Sequence, residues 1–292
     1  MKKDIVDWDS AYALYTAGAS LKEVAGKVGC SSTTLCKGFR SLGFIDRHTR
    51  GARPKRAPAA FKLSNPACEA DAYWLGFLFA DGCLQIASGD GARPGTVTLV
   101  SGLKDTEHTR KFAEYMDGYI YTRTSYVAAV SKRSMDWREL LNVGFGVGKT
   151  ARLDMPKLPA ALVPHFIRGF FDGDGWATMN KAPRVPQGRA GFTSVSRLFL
   201  EQLMTVLHMH GIEAGIRQAK AAGSTYTIKG KTGLRKVDVW DLLIVKIDSF
   251  SNFYKYLYTD ATLYLSRKKD KFAEVIQYRA NDCLNKQSLR NA

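Results

Sequence analysis

Trp74–Leu75–Gly76–Phe77–Leu78–Phe79–Ala80–Asp81–Gly82 and Ile167–Arg168–Gly169–Phe170–Phe171–Asp172–Gly173–Asp174–Gly175 are two versions of one pattern, set far apart in the chain. Each is a largely apolar run with a small residue at Gly76 or Gly169, another four positions on at Ala80 or Gly173, and a terminal Asp-Gly. Residues four apart share a helix face, so each run offers a smooth stripe that a second helix can approach closely. Packing the two stripes together brings Asp81 and Asp174 out side by side at the same end. Two carboxylates held on such a pseudo-two-fold axis make a metal site suited to phosphodiester hydrolysis.

The flanking sequence repeats as well. Asn65 with Pro66 reads as the cap and first turn of the first motif helix, and Pro164 does similar work for the second. After each Asp-Gly a strand is expected (Cys83–Ala87, Trp176–Asn180), then a Gly/Pro-containing loop carrying Arg93 in one half and Arg184 and Arg189 in the other. A second strand ends at Ser101 or Ser194, each twenty residues past its aspartate. Amphipathic helices follow at Thr106–Met116 and Arg197–His210. Further strands lie within Tyr119–Ser131 in the first half; in the second they are Ile216–Gln218 and a hairpin through Gly230–Gly233 to Val245. Each half closes with an aromatic-rich helix and a lysine. The expected fold class is therefore α+β: two pseudo-symmetric αββαββα halves, 63–163 and 164–277, packed through their motif helices, with a tail at 278–292.

The first 46 residues read as a separate all-α unit. Trp8–Tyr15 forms a first helix, Ser20 caps a second at Leu21–Val28, and Ser31 or Ser32 caps a third that runs to about Ser41. Helix, glycine-containing turn, helix is the helix-turn-helix pattern, and it resembles the DNA-binding modules of resolvases and small regulators. Its third helix turns Leu35 and Phe39 inward and presents Thr33, Thr34, Lys37 and Arg40. Residues 47–62 are a linker rich in proline, small residues and charge, whose Arg50, Arg53, Lys55 and Arg56 can follow phosphates or enter a minor groove.

Composition agrees with a polyanionic partner. The 292 residues carry 43 Lys and Arg against 27 Asp and Glu, a formal charge of +16. The five cysteines, Cys30, Cys36, Cys68, Cys83 and Cys283, form no C-x-x-C pair, which argues against zinc fingers and a disulfide framework and for a reducing compartment. His208 and His210 read as an ordinary helix end. The start of the chain has no apolar leader and no run reaches membrane-span length, so an intracellular, cytoplasmic protein is expected, without a membrane partner.

With both Asp-Gly helices and the repeat in view, residues 63 to 277 resemble a LAGLIDADG homing endonuclease of the single-chain, two-motif type, with the helix-turn-helix appended. Gly76 and Gly169 fall on the family's central glycine, and Asp81 and Asp174 on its metal-binding acid. Phe79 departs at the motif's other acid position, where the second half keeps Asp172; because that acid is not the metal ligand, Phe79→Asp is expected to be mild if the side chain lies off the seam. The resemblance implies a monomeric, site-specific DNA endonuclease that needs a divalent metal, Mg²⁺ with Mn²⁺ as substitute. It implies a staggered double-strand break across the minor groove of a long site in double-stranded DNA.

For a cation beside each scissile phosphate, the resemblance points to Lys149, 25 residues before Asp174, and in the second half to Lys268, with Arg267, Lys269 and Lys246 as rivals. A P-loop reading of Gly-Val-Gly-Lys-Thr fails because its first glycine position is Val143. An EF-hand reading of Asp172–Gly173–Asp174 fails at Trp176 and Pro183. DNA contacts are expected from Arg93 and Arg123 in the first half, and from Arg184, Arg217, Lys229, Arg235 and Lys236 in the second. Two alternatives stay open: an intron maturase with RNA as partner, and a transcriptional regulator that keeps the surface without cleavage.

Overall fold

A computed structural model describes residues 6–17, 19–42, 59–85, 95–131, 140–146, 153–180, 187–228 and 230–290. The chain divides into two compact units, residues 1–57 and 58–292.

The first unit holds helices α1 (Trp8–Thr16), α2 (Leu21–Lys27) and α3 (Ser32–Ser41). Ser20 and Glu23 cap α2 reciprocally: the Glu23 amide donates to the Ser20 hydroxyl at 3.2 Å, and the Ser20 amide donates to the Glu23 carboxylate at 2.7 Å. That capping box satisfies two amides that would otherwise lack partners. Ser31 caps α3 by accepting from the Thr34 amide. Ala11, Val24, Ala25, Leu35 and Phe39 make the core of the unit, with the Trp8, Tyr12 and Tyr15 rings around Phe39.

The second unit is the repeat. Helix α4 (Ala59–Ser64) leads into α5 (Glu69–Asp81), which passes directly into β1 (Gly82–Gln85). Then come β2 (Thr96–Ser101), α6 (Thr106–Tyr115), β3 (Tyr119–Thr122) and β4 (Val127–Val130). The second half repeats the order with α7 (Val163–Asp174), β5 (Gly175–Asn180), β6 (Gln187–Ser194), α8 (Arg197–Met209) and β7 (Gly215–Lys220). It adds a separate ribbon, β8 (Thr225–Ile228) with β9 (Lys231–Leu234), before β10 (Val239–Ile244), α9 (Ile247–Tyr258) and the long α10 (Ser266–Arg290).

Each half has one four-stranded antiparallel sheet, ordered β1-β2-β4-β3 and β5-β6-β10-β7. The registers repeat too: Gly82 pairs with Leu99, and Gly175 with Phe192. One continuous core of aromatic and aliphatic side chains runs through both halves, centred on α5 and α7, and the nine residues Asp71 to Phe79 are all buried. A helix buried all round carries no amphipathic stripe, which is why its apolar run alone marks it in the sequence.

Three expectations need correction. Asn65 and Pro66 do not start the motif helix: α5 begins at Glu69, and Pro66 sits in the turn after α4. A proline biases the residue before it away from the helical region, which suits a stop there. The Asp71 carboxylate, which accepts from the Ala67 amide, secures the turn instead. The first half does not close with an α-helix among the described residues, where residues 140–143 form a single 3₁₀ turn. Phe79 does not lie off the seam, since it is buried against Phe166 of α7 as well as Phe145 and Phe199.

Candidate active site

The site begins with two glycines. A Cβ on Gly76 would lie 2.0 Å from the carbonyl oxygen of Phe166, and one on Gly169 would lie 1.9 Å from that of Tyr73. The α5 and α7 backbones therefore touch, and no other residue type fits at either position. The contact continues to the helix ends, where a Cβ on Gly173 would meet the Ala80 side chain at 2.3 Å and lie 3.4 Å from the Asp81 carboxylate. Asp81 and Asp174 are the last residues of their helices. The glycine after each allows the immediate turn into a strand, since a Cβ there would strike Leu78 or Phe171. The two aspartates thus leave the same end of one seam.

Lys268, on the first turn of α10, reaches that end from outside the motif. Its Nζ donates to the carbonyls of Gly173, at 3.5 Å, and of Gly175, and so caps α7 at the negative end of its dipole. Burial, followed by the neighbouring Arg267 charge, lowers the Lys268 amine below the ordinary lysine range, while Asp172, Asp174 and Asp81 all oppose that shift. Lys268 is therefore within electrostatic reach of both motif aspartates. Arg267 instead makes a two-pronged ion pair with Asp105, both bonds at 2.6 Å, and Lys246 pairs with Glu213 on the surface. Lys269 lies over the Tyr264 ring at 3.9 Å. Arg267 also feels the charges of Asp81 and Asp172, but of the groups in this stretch Lys268 is the one that bonds the end of α7 at the seam. Lys149 lies outside the described residues.

Asp172, the acid two residues earlier and so on the other face of α7, serves a different purpose. It is fully buried and accepts from the Tyr73 and Tyr258 hydroxyls, both at 2.8 Å, and from the Leu265 amide at 2.7 Å. Burial raises its carboxyl to about 6 against the opposing pull of those three bonds. Tyr73, whose proton goes to Asp172, accepts in turn from His108 Nε2 at 2.8 Å, and this fixes the histidine tautomer. Below it, buried Arg168 donates to Glu69 at 2.5 Å and to the Leu257 and Leu263 carbonyls. Glu69 also takes the Thr262 hydroxyl and the Thr262 and Leu263 amides. Together these bonds fasten the 259–265 connection, and hence the start of α10, onto the motif helices. Sequence reasoning passed over Arg168, Tyr73 and His108. The available signal was a charged residue inside an otherwise apolar helical run, at Arg168 and again at Asp172.

The expected DNA contacts divide by location. Arg123 is exposed after β3 beside the Tyr121 ring, and Arg235 lies over the Tyr226 ring at 5.3 Å on the β8–β9 ribbon. Lys236 is exposed, and Arg217 on β7 pairs with Asp241 at 3.1 Å while its side chain remains about half exposed. Thr33, Thr34 and Lys37 are exposed on α3 of the first unit. Arg50, Arg53, Lys55, Arg56, Arg93, Arg184 and Lys229 lie outside the described residues, as does the Arg40 side chain. Among the described residues there is no cluster of three or more metal-ligating side chains, and none of the helices is long and apolar enough to cross a membrane.

Residues 162–258 match the family model of the LAGLIDADG-like domain. A solved LAGLIDADG homing endonuclease, I-GzeII in complex with its DNA target, superposes with a TM-score of 0.50 at 12% identity, covering 73% of this chain and 91% of that one. The meganuclease I-SmaMI, bound to uncleaveable DNA, gives 0.48 at 11% identity over 73% and 92% of the two chains. Among curated proteins, the ATP-dependent DNA helicase Hel308 of Methanocaldococcus jannaschii is 28% identical over 120 residues, 41% of this chain. The chain spans only 9% of that relative's length. The repeat unit has the LAGLIDADG fold, with one motif helix in each half, and its second half is similar to the LAGLIDADG-like domain.

Proposed function

We propose that the chain is a site-specific DNA endonuclease that works as a monomer and makes a staggered double-strand break. The observation that carries this reading is the emergence of Asp81 and Asp174 from one glycine seam, with the Lys268 amine beside them. Two carboxylates are hard oxygen donors, and with phosphate oxygens and water they suit Mg²⁺ or Mn²⁺. Asp81 and Asp174 would hold the metal. When bound, it neutralises charge on the scissile phosphates and lowers the pKa of water.

The chain's own groups account for the remaining tasks. Lys268 places a cation at the seam end, where negative charge develops on the phosphate during displacement. Half-burial keeps it from being fully screened by solvent. The glycine contact fixes the separation of the two carboxylates, so each half can address one strand with the other half in register. Arg123, Arg217, Arg235 and Lys236 supply backbone-directed charge, in keeping with the +16 total. Thr33, Thr34 and Lys37 on α3 extend the contact from the first unit.

The test is selection of bound duplexes from a randomised library, then incubation of plasmid carrying the recovered site with Mg²⁺. Asp81→Asn or Asp174→Asn should abolish linearisation and leave the gel shift within a few-fold, because affinity comes mainly from phosphate contacts. Full cleavage by either variant would remove the assignment. Binding without any cleavage by the unaltered protein would favour a regulator.

A further inference from the structure

The first turn of α10 is gripped from both halves of the repeat. On one side the Leu265 amide, just before the helix, donates to Asp172 of α7. On the other side Arg267 Nε and Nη2 donate to the two oxygens of Asp105, each at 2.6 Å. Asp105 belongs to the first half, in the turn that enters α6, and it is 6% exposed. Its bond to Arg267 therefore crosses from the first half to the helix that carries the second half's lysine.

Phe272 and Val275 anchor α10 in the core further along, but a single hydrogen bond at its first turn would leave the orientation of that turn loosely set. A two-pronged guanidinium–carboxylate pair is planar and directional and does not. Successive residues on a helix point about 100° apart, so fixing the direction of Arg267 fixes that of Lys268. The amine then lies over the Phe171 ring, 5.9 Å from its centroid, and on the carbonyls of Gly173 and Gly175. We infer that Asp105 is a positioning residue for Lys268, acting through Arg267 from the opposite half of the repeat. The catalytic consequence rests on the endonuclease reading above; the positioning itself does not. It makes the two half-sites mechanically interdependent, because the cation serving one strand is aimed by a carboxylate of the other half.

The experiment uses the full chain labelled with ¹³C-lysine. In its ¹H–¹³C spectrum the Lys268 ε-methylene, assigned by loss of the signal in Lys268→Arg, should be displaced by the Phe171 ring current. Asp105→Ala should move that signal towards the ordinary lysine position, with Lys271, one turn on in α10, unmoved. Asp105→Glu, which keeps the charge and both oxygens, should restore at least part of the displacement. If Asp105→Ala does not fold, Arg267→Gln breaks the same contact from its more exposed side. On the selected duplex, end-labelled on each strand, Asp105→Ala should slow one strand at least tenfold in kcat, with KM and the other strand little changed. A folded Asp105→Ala or Arg267→Gln protein whose Lys268 signal keeps its displacement overturns the proposal, as does equal slowing of both strands. A moved signal in a chain that cuts no DNA upholds the positioning and removes only the endonuclease reading.

Discussion

Gly76 and Gly169 are reciprocal: each presses its bare Cα against the carbonyl of the residue three positions before the other, Gly76 on Phe166 and Gly169 on Tyr73, at 2.0 and 1.9 Å from an added Cβ. Reciprocity of this kind is what a two-fold axis imposes on a contact between like surfaces. It sets the distance between Asp81 and Asp174, because both aspartates ride on the helices that the contact joins.

Gly169→Ala tests the seam with the smallest change available. The added methyl would meet backbone, not the movable end of a side chain, so the helices must part. Overpacking a close contact costs about 1–3 kcal/mol. The expected result is a melting temperature lower by several degrees, together with cleavage lost more severely than stability explains. Gly215→Ala, where an added Cβ meets nothing within 4 Å, serves as the control and should leave both unchanged.

Phe79 and Asp172 occupy matching places in the two motifs and cannot be exchanged. Asp172 has two tyrosine hydroxyls and an amide around it, whereas Phe79 has the rings of Phe145, Phe166 and Phe199. Where Tyr73 offers its hydroxyl to Asp172, its counterpart against Phe79 is Phe166, which has none. Phe79→Asp therefore loses a buried ring, a change that typically costs about 3–5 kcal/mol, and buries a carboxyl without partners. A sharply lower urea midpoint is expected. A midpoint within error of the unaltered protein would show that the pocket admits water.

The repeat was legible because its signals are local. Asp-Gly after an apolar run, strand ends at Ser101 and Ser194, and the caps at Ser20 and Ser31 each depend on neighbours in sequence, and β2, β6, α2 and α3 fall where they indicate. The seam was legible from small residues spaced by four. What stayed hidden depends on residues distant in the chain: Tyr73 meets His108 and Asp172, Glu69 meets Thr262, and Asp105 meets Arg267. No periodicity encodes such pairs. Phe79 was misjudged for the same reason, since its environment comes from α7, α8 and the turn at Phe145.

His108 predicts a dependence on pH. Burial, then the Lys111 charge, lowers it from 6.5 to about 4, with Asp105 pulling upwards and Arg267 downwards. The folded chain therefore holds it neutral where the unfolded chain already binds a proton. Its contribution to stability is complete above pH 6.5 and is lost as pH falls towards 4. Asp172, raised to about 6, works in the opposite direction between 6 and 3.8, so the unaltered protein shows only the difference. His108→Gln isolates one side: the gap in urea midpoint between the two proteins should be widest at pH 7 and should narrow by pH 4.5. A gap that is constant over that range would mean that His108 binds its proton equally well in the folded and unfolded chains.

Removal of residues 1–57 separates the two units at the boundary between them. The remaining unit keeps both motif helices, both sheets and α10, and hence the seam and Lys268. It should fold and cut. What it loses is Lys37 on α3 and the arginines and lysines that follow, among them Arg50, Arg53, Lys55 and Arg56. Each of those groups that neutralises a phosphate displaces condensed counterions, and the slope of log K against log salt falls by about 0.9 for every such contact removed. Truncation should therefore weaken binding most at low salt and flatten the slope by several units, while cleavage recovers at higher protein concentration. An unchanged slope would mean that the first unit and the basic segment after it do not touch DNA, and its exposed Thr33, Thr34 and Lys37 would then need another partner.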